Sequence, residues 1–245
     1  MSFSLIRGRY VARLAQTVQD LEAVQAIRGL CFRGEGCVDR DAFDAQCQHV
    51  MVEECGSGRL VCCFRLLPLA SGEEIGRSYA AQFYALEALA DYPAPMVEMG
   101  RFCIHPACHD ADILRVAWGA MTRFVDGAGV EMLFGCSSFR GTDWRDYADS
   151  FTLLSQRHLG PERWLPRVKA PDVVRYARAL MGAQGNPKQA ILRMPPLLRS
   201  YLAMGGWVSD HAVVDPDLGT LHVFTGLEIG RIPAARRRAL RLVAG

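Results

Sequence analysis

Hydrophobic positions recur along the chain in strand-like and helix-like stretches, and they predict most of its elements. Tyr10 to Ala15 reads as a first strand. Thr17 then supplies an N-cap and Asp20 an acidic first turn, and Leu21, Val24, Ile27, Arg28 and Cys31 recur at helical spacing to about Phe32. A Gly-rich turn, Arg33 to Gly36, precedes the polar stretch Asp39 to Cys47, a short helix or ordered loop. His49 to Glu54 and Arg59 to Leu67 form a hairpin around Cys55 to Gly58. Pro68 to Glu74 is a loop, and Tyr79 to Ala90 is a short helix or an irregular strand ended by Pro93 and Pro95. Met96 to Ile104 is a strand. Asp110 to Ala128 is the best helix, with Ile113, Leu114, Ala117, Met121, Phe124 and Val125 on its apolar face. Met132 to Ser137 is a buried strand, so strand, helix and strand argue for a βαβ unit with a right-handed crossover. Helices are predicted over Asp149 to His158, Pro171 to Met181 and Pro196 to Met204, with a break at Gly182 to Pro187. Strands follow at Trp207 to Val214 and Thr220 to Ile229, and a basic helix at Pro233 to Val243. The simplest organisation is one mixed α/β domain over 1–245, elaborated at about 144–245.

Composition narrows this picture only modestly. The chain has 245 residues, half of them hydrophobic, enough for a full core. Its formal net charge is +2, which disfavours a nucleic-acid partner and leaves electrostatic arguments to local patches. Nine cysteines without paired CxxC motifs read as reduced, mostly buried thiols of a cytoplasmic protein. The N-terminal MSFSLIRGRYVARLA lacks the apolar region and cleavage site of a signal peptide. No apolar run reaches the roughly 18 residues that span a bilayer, so any membrane contact is peripheral.

The strand around Val97-Glu98-Met99-Gly100-Arg101-Phe102 carries the most chemistry. Strict alternation puts Glu98 and Arg101 on opposite faces, and a bulge at Gly100 would bring them together. Charges in a central strand are costly unless paired or used. Two readings are open: a Glu–Arg pair that fastens strands, or a general base that takes the proton of an ammonium nucleophile. Taken singly, Arg28, Asp41, Asp44 and Arg65 read as solvated charges or capping groups. Cys103, His105, Cys108 and His109 have metal-donor types, but Pro106 and the lack of a second ligand pair argue against zinc. Cys103 and Cys136 lack the immediate basic setting of a thiolate nucleophile. Ser137, Ser138, Thr142 and Asp143 follow a strand's carboxyl end, where ligands gather in α/β sheets; an Asx turn is the alternative for this run.

Several stretches resemble one family. Glu98-Met99-Gly100-Arg101-Phe102-Cys103, Ile113 to Trp118, and Leu133 to Phe139 with Gly141-Thr142-Asp143 are similar to the ornithine–acyl-carrier-protein N-acyltransferases of bacterial ornithine-lipid synthesis. Pro195 to Leu202, Gly205-Gly206 and Ala212 to Asp215 match them too, so the likeness runs from about Arg7 to Ile229. Arg28, Phe32, Asp41, Phe43-Asp44, Gly58, Arg65 to Pro68, Phe83, Glu98 and Arg101-Phe102 more loosely resemble the acyl-homoserine-lactone synthases.

The resemblance implies a GNAT-like fold, with a central, mostly antiparallel mixed sheet flanked by helices. It implies transfer of a 3-hydroxyacyl group from acyl carrier protein to the α-amine of ornithine, or of glutamine. Lactone synthesis from S-adenosylmethionine, or a carrier- or lipid-binding module without turnover, are the rival readings. No cofactor is bound, and the donor is 4'-phosphopantetheine on its carrier. Glu98 is the implied base, with Arg101 beside it and backbone N–H groups at Phe102 and Cys103 facing the oxyanion. Arg28, Phe32, Asp41, Asp44, Arg65, Phe83, Ser137, Ser138 and Asp143 are the candidate substrate-binding residues, Arg65 or Arg101 for a carboxylate and Asp44 or Asp143 for a cationic side chain. Unlike a coenzyme A pyrophosphate loop, His105 to Asp112 has no glycine and carries Asp110 and Asp112, which suits a carrier-bound donor. The basic tail, with Arg236, Arg237, Arg238 and Arg241, is a solvated helix end or a docking surface for acidic carrier protein or the cytoplasmic face of the inner membrane.

Overall fold

A computed structural model describes residues 3–245; Met1 and Ser2, part of the N-terminal stretch read above, lie outside the described residues. The first hairpin pairs β1 (Ser4–Arg7) with β2 (Tyr10–Leu14). Periodicity did not indicate β1 because only Leu5 of its residues is buried. Helix α1 (Val18–Phe32) opens with a full capping box, Thr17 and Asp20 each satisfying a backbone N–H of the other. Next come β3 (Gln48–Glu54), β4 (Leu60–Leu69), β5 (Tyr84–Ala85), the single turn α2 (Glu87–Ala90) and β6 (Met96–Ile104). Helix α3 (Ala111–Ala128) is capped by Asp110 and stopped by Gly129 in the left-handed region.

The remaining elements are β7 (Met132–Arg140), α4 (Ala148–Arg157), β8 (Arg167–Val168), β9 (Val173–Val174), α5 (Tyr176–Ala179), α6 (Pro187–Arg193), α7 (Pro196–Ala203), β10 (Trp207–Val208), β11 (Ala212–Asp215), β12 (Thr220–Glu228) and α8 (Ala234–Ala244). Where a helix was expected over Pro171 to Met181, the β-branched Val173 and Val174 instead pair with β11 and only Tyr176–Ala179 is helical. Helix α6 lies just beyond the expected break, and Asn186 as N-cap with Pro187 in the first turn mark its start.

The chain divides into two compact units: Met1–Pro68, Met99–Val130 and Ala234–Gly245, and then Leu69–Glu98 with Glu131–Pro233. Strand β6 contributes to both. In the first unit the strand order is β1-β2-β3-β4-β6, and its antiparallel ladders run from β1 to β4. Val24 and Ile27 of α1 pack with Met51, Cys63 and Cys103, all buried. In the second unit the order is β6-β7-β12-β11-β9, with β10 also on β12 and β5 paired with β8. The β6–β7 ladder is parallel, as the strand–helix–strand pattern predicts, and the other ladders are antiparallel. Phe139, Phe151, Tyr176, Leu198, Leu221 and Val223 fill that unit's core, each such side chain contributing about 1.5–3 kcal/mol on burial. The architecture is thus mixed α/β, a mostly antiparallel sheet flanked by helices. No described helix is long and apolar enough to cross a membrane.

Gly29 on α1 is where the helix meets the loop that follows it. A Cβ there would sit 1.9 Å from the Cys37 carbonyl oxygen, so only glycine permits the approach. Urea unfolding should show Gly29→Ala costing about 3 kcal/mol, the upper end of over-packing. Loss of the N-cap in Thr17→Ala should cost about 1 kcal/mol. A Gly29→Ala protein as stable as the parent would refute the close approach.

Candidate active site

Glu98 and Arg101 sit on one strand but serve different neighbours. Glu98 is 4% exposed and is the last residue of β6 in register with β7, opposite Phe134. Its two carboxylate oxygens accept the N–H groups of Tyr79 and Ala80, each at 2.7 Å. Tyr79 to Ala90 becomes neither one regular helix nor one regular strand, and the two bonds cap the turn with which it begins. The segment instead forms a short 3₁₀ turn at Ala80–Gln82, then β5 and α2. The two bonds leave about half of the carboxylate's roughly four acceptor positions to other donors.

Three residues on, the backbone of Arg101 is left-handed, with φ 53°. The distortion expected at Gly100 falls one residue later, on a residue with a Cβ, at a cost of about 1–3 kcal/mol. The Arg101 side chain offsets it. Its Nε donates to Asp39 Oδ2 at 2.9 Å and its Nη2 to Asp41 Oδ2 at 3.3 Å, with the guanidinium 5.9 Å from the Phe32 ring centre.

Those contacts belong to a buried ionic cluster in the first unit. Arg28, expected as a solvated charge, is 1% exposed; it donates to Asp39 through Nε and Nη2, and to Asp44 through Nη1 at 2.7 Å. Arg65, also buried, chelates Asp41 at 2.5 and 2.9 Å and reaches Asp44 at 2.8 Å. Gln25 donates to the other Asp44 oxygen, and Arg33 to the other Asp39 oxygen. Arg28, Arg65 and Arg101 thus face Asp39, Asp41 and Asp44, a balanced set that surface charges would not form. Asp41 is its open edge, with 24% of its side chain exposed against 0% for Asp39 and 6% for Asp44. Sequence reasoning missed Asp39, although Asp39, Asp41 and Asp44 lie within six residues between two arginine-bearing elements.

Phe102 stacks on Phe64 with ring centres 5.6 Å apart. Cys103 is buried with its sulfur 3.6 Å from that of Cys63; the Cys31 contact pulls its thiol down, but Cys63 and burial outweigh it and leave the thiol well above the usual range, so its side chain is no thiolate nucleophile. All nine cysteines are free, though Cys37 and Cys55 are exposed, because they sit in turns. Asp110 closes the N-terminus of α3: Oδ1 accepts the Asp112 N–H at 2.9 Å, while Oδ2 holds Arg9 at 2.6 Å and the Tyr10 hydroxyl at 2.9 Å. An anion at that helix end would meet this carboxylate.

In the second unit, Phe83 is half-buried, its ring centre 5.3 Å from Tyr79 and 5.0 Å from His222. Ser137 is buried and its hydroxyl accepts from Thr225 at 2.9 Å, so it ties β7 to β12; Ser138, pointing the other way, is exposed. Asp143 forms the Asx turn, accepting the Arg145 N–H at 3.0 Å at the exposed surface. Sequence reasoning also passed over His222, which burial and nearby His211 push down to about 4. The Tyr84 hydroxyl lies 3.1 Å from its Nδ1 and donates to its carbonyl oxygen.

The ionic cluster makes a pH prediction. Burial pushes the Asp39 carboxyl up, but Arg101 and Arg28 outweigh it and hold it at about 2. A depressed carboxyl contributes stability above its unfolded value near 3.9, and that stability is lost as pH falls toward the folded value. Unfolding free energy should therefore drop between about pH 4 and pH 2 in the parent protein. Asp39→Asn should lose about 3–5 kcal/mol at pH 7, because three arginines lose a buried partner, and its drop over the acid window should be smaller. Equal acid sensitivity in both proteins would show that Asp39 is not held this way.

Residues 29–119 match the acetyltransferase (GNAT) domain family. The L-ornithine N(alpha)-acyltransferase of Rhodobacter capsulatus is 30% identical over 87% of this chain and 88% of its own length. That of Rhizobium meliloti is 29% identical over 90% of this chain and 80% of its own. Among solved structures, FeeM, an N-acyl amino acid synthase from uncultured soil microbes, aligns with a TM-score of 0.54 at 10% identity, over 94% of this chain and 99% of that one, a likeness of fold. Sequence similarity across nearly the whole length of both chains places this protein in the L-ornithine N(alpha)-acyltransferase family, within the GNAT acyltransferases.

Proposed function

We propose that this protein transfers a 3-hydroxyacyl group from acyl carrier protein to the α-amine of L-ornithine. The family assignment supports ornithine as acceptor, and glutamine is the nearest competing amino acid. The observation that carries the chemistry is Glu98, a buried carboxylate on the strand that turns left-handed at Arg101. In the proposed reaction Glu98 takes a proton from the ammonium group, directly or through water. The amine nitrogen attacks the thioester carbonyl, a C–N bond forms, and the C–S bond breaks to release the pantetheine thiol. Backbone N–H groups at Phe102 and Cys103 face the developing oxyanion. No acyl-enzyme forms, in keeping with the raised Cys103 thiol.

Arg65 and Arg101 are assigned the acceptor's carboxylate, and Asp41 its cationic side chain, since Asp41 is the accessible acid of the cluster. Arg28, Asp39 and Asp44 then hold these groups in place. The donor is assigned to a carrier protein because Asp110 occupies the N-terminus of α3, which suits a phosphopantetheine arm better than the pyrophosphate of free coenzyme A.

Two measurements test this reading. Glu98→Gln should lower kcat by at least about a hundredfold and abolish the acid limb of the pH–rate profile, with a modest fall in Tm because an amide keeps only one acceptor oxygen for Tyr79 and Ala80. Unchanged kcat with a lowered Tm would make Glu98 a loop anchor and nothing more. Incubation with 3-hydroxyacyl carrier protein or 3-hydroxyacyl coenzyme A and each of ornithine and glutamine, followed by mass spectrometry, should give N-acylornithine from the carrier-bound donor at the highest rate. A preference for coenzyme A or for glutamine would overturn the corresponding half of the proposal.

A further inference from the structure

The whole chain is nearly neutral, yet one stretch is not. From Val173 to Ser209 there is no aspartate or glutamate, while Arg175, Arg178, Lys188, Arg193 and Arg199 all occur there. All five are exposed, and no ion pair to any of them is found among the described residues. Arg193 donates to the backbone carbonyl of Asp146 at 2.7 Å, which fixes its stem and leaves its charge unneutralised.

The same stretch carries apolar side chains that the fold does not bury. Helix α6 turns Ala190 and Met194 inward, which leaves Ile191 and Leu192 at 46% and 73% exposure. Met181, just past α5, is 81% exposed. Helices α5 and α6 both pack on α4, so these positions are held by ordered elements. Exposed Leu, Ile and Met amid unpaired cations mark an interaction surface.

We infer that the α5–α6 surface docks on an anionic lipid bilayer. Cations alone would suit an acidic protein equally well. Exposed apolar side chains with Arg and Lys close by in the chain suit the headgroup layer: the cations would meet lipid phosphates and the apolar side chains the acyl boundary. The docking is peripheral, since no described helix can cross the membrane. It is distinct from the basic tail. There Arg241 is paired with Asp126, and the carbonyls of Leu242, Val243 and Ala244 are held by Arg7 and Arg123, so much of α8 serves packing.

Flotation of the full chain with vesicles tests the inference. The protein should float with phosphatidylcholine vesicles containing phosphatidylglycerol, should not float with phosphatidylcholine alone, and should be released by high salt. Each cation near an anionic surface contributes about fivefold, so Arg178→Gln with Arg193→Gln should weaken partitioning by about thirtyfold. Met181→Glu with Leu192→Glu should abolish flotation, while Tm and N-acylation of water-soluble substrates stay at parent values, which separates this outcome from failure of the catalytic assignment. Arg236→Gln with Arg238→Gln on α8 should float like the parent. Parent-like flotation of the Met181/Leu192 variant would overturn the inference. So would loss of flotation in the α8 variant alone, or patch variants that keep vesicle binding but lose capture by apo carrier protein.

Discussion

The first compact unit is organised by a need to neutralise buried charge. Three guanidinium groups and three carboxylates leave water together, and such a set is tolerated only if nearly every donor finds an acceptor. That requirement fixes the loop after α1, because Asp39, Asp41 and Asp44 must turn inward to meet Arg28, Arg65 and Arg101. It also explains the left-handed Arg101: the charged side chain secures a backbone conformation that this residue would otherwise avoid. Gly29 allows the loop close enough for the pairing to form. Propensity alone would predict none of these three features; each follows from where the charges must go.

In the proposed reaction one carboxylate, Glu98, would serve both structure and chemistry. By accepting from Tyr79 and Ala80 it holds the turn that presents Phe83. As the proposed base it would take up a proton at the cost of weakened bonds to the turn.

Long elements with strong periodicity were legible in the sequence. Helices α1 and α3, the β3–β4 hairpin and β6 fall close to their expected positions because caps, turn residues and apolar spacing agree there. The failures lie where a distant partner decides. Val173 and Val174 become a strand because β11 offers its edge, and the turn that opens Tyr79 to Ala90 is anchored by Glu98. The candidate residues divide in the same way. Arg28, Asp44 and Arg65 could be picked by resemblance, yet their burial was invisible, since a charged residue carries no periodic signal of its own. Asp39 was missed, although three of the surrounding arginines bond to it. Ser137 and Asp143 looked equally available in sequence, but one hydroxyl is bonded to Thr225 and the other side chain completes a turn.

Charge in this protein is handled in two opposite ways, and the contrast separates stability from recognition. In the cluster around Arg28 the charges are mostly buried and paired with opposite ones, so their field at a distance largely cancels. Along Val173 to Ser209 the charges share one sign, lie exposed and go unmatched, so their field reaches outward to the limit set by salt. The formal net charge of +2 conceals both arrangements, because acids elsewhere offset the five cations numerically without lying in their stretch of chain. Leu192 and Met181 are left in water within this same stretch. An anionic surface with an apolar interior makes use of both.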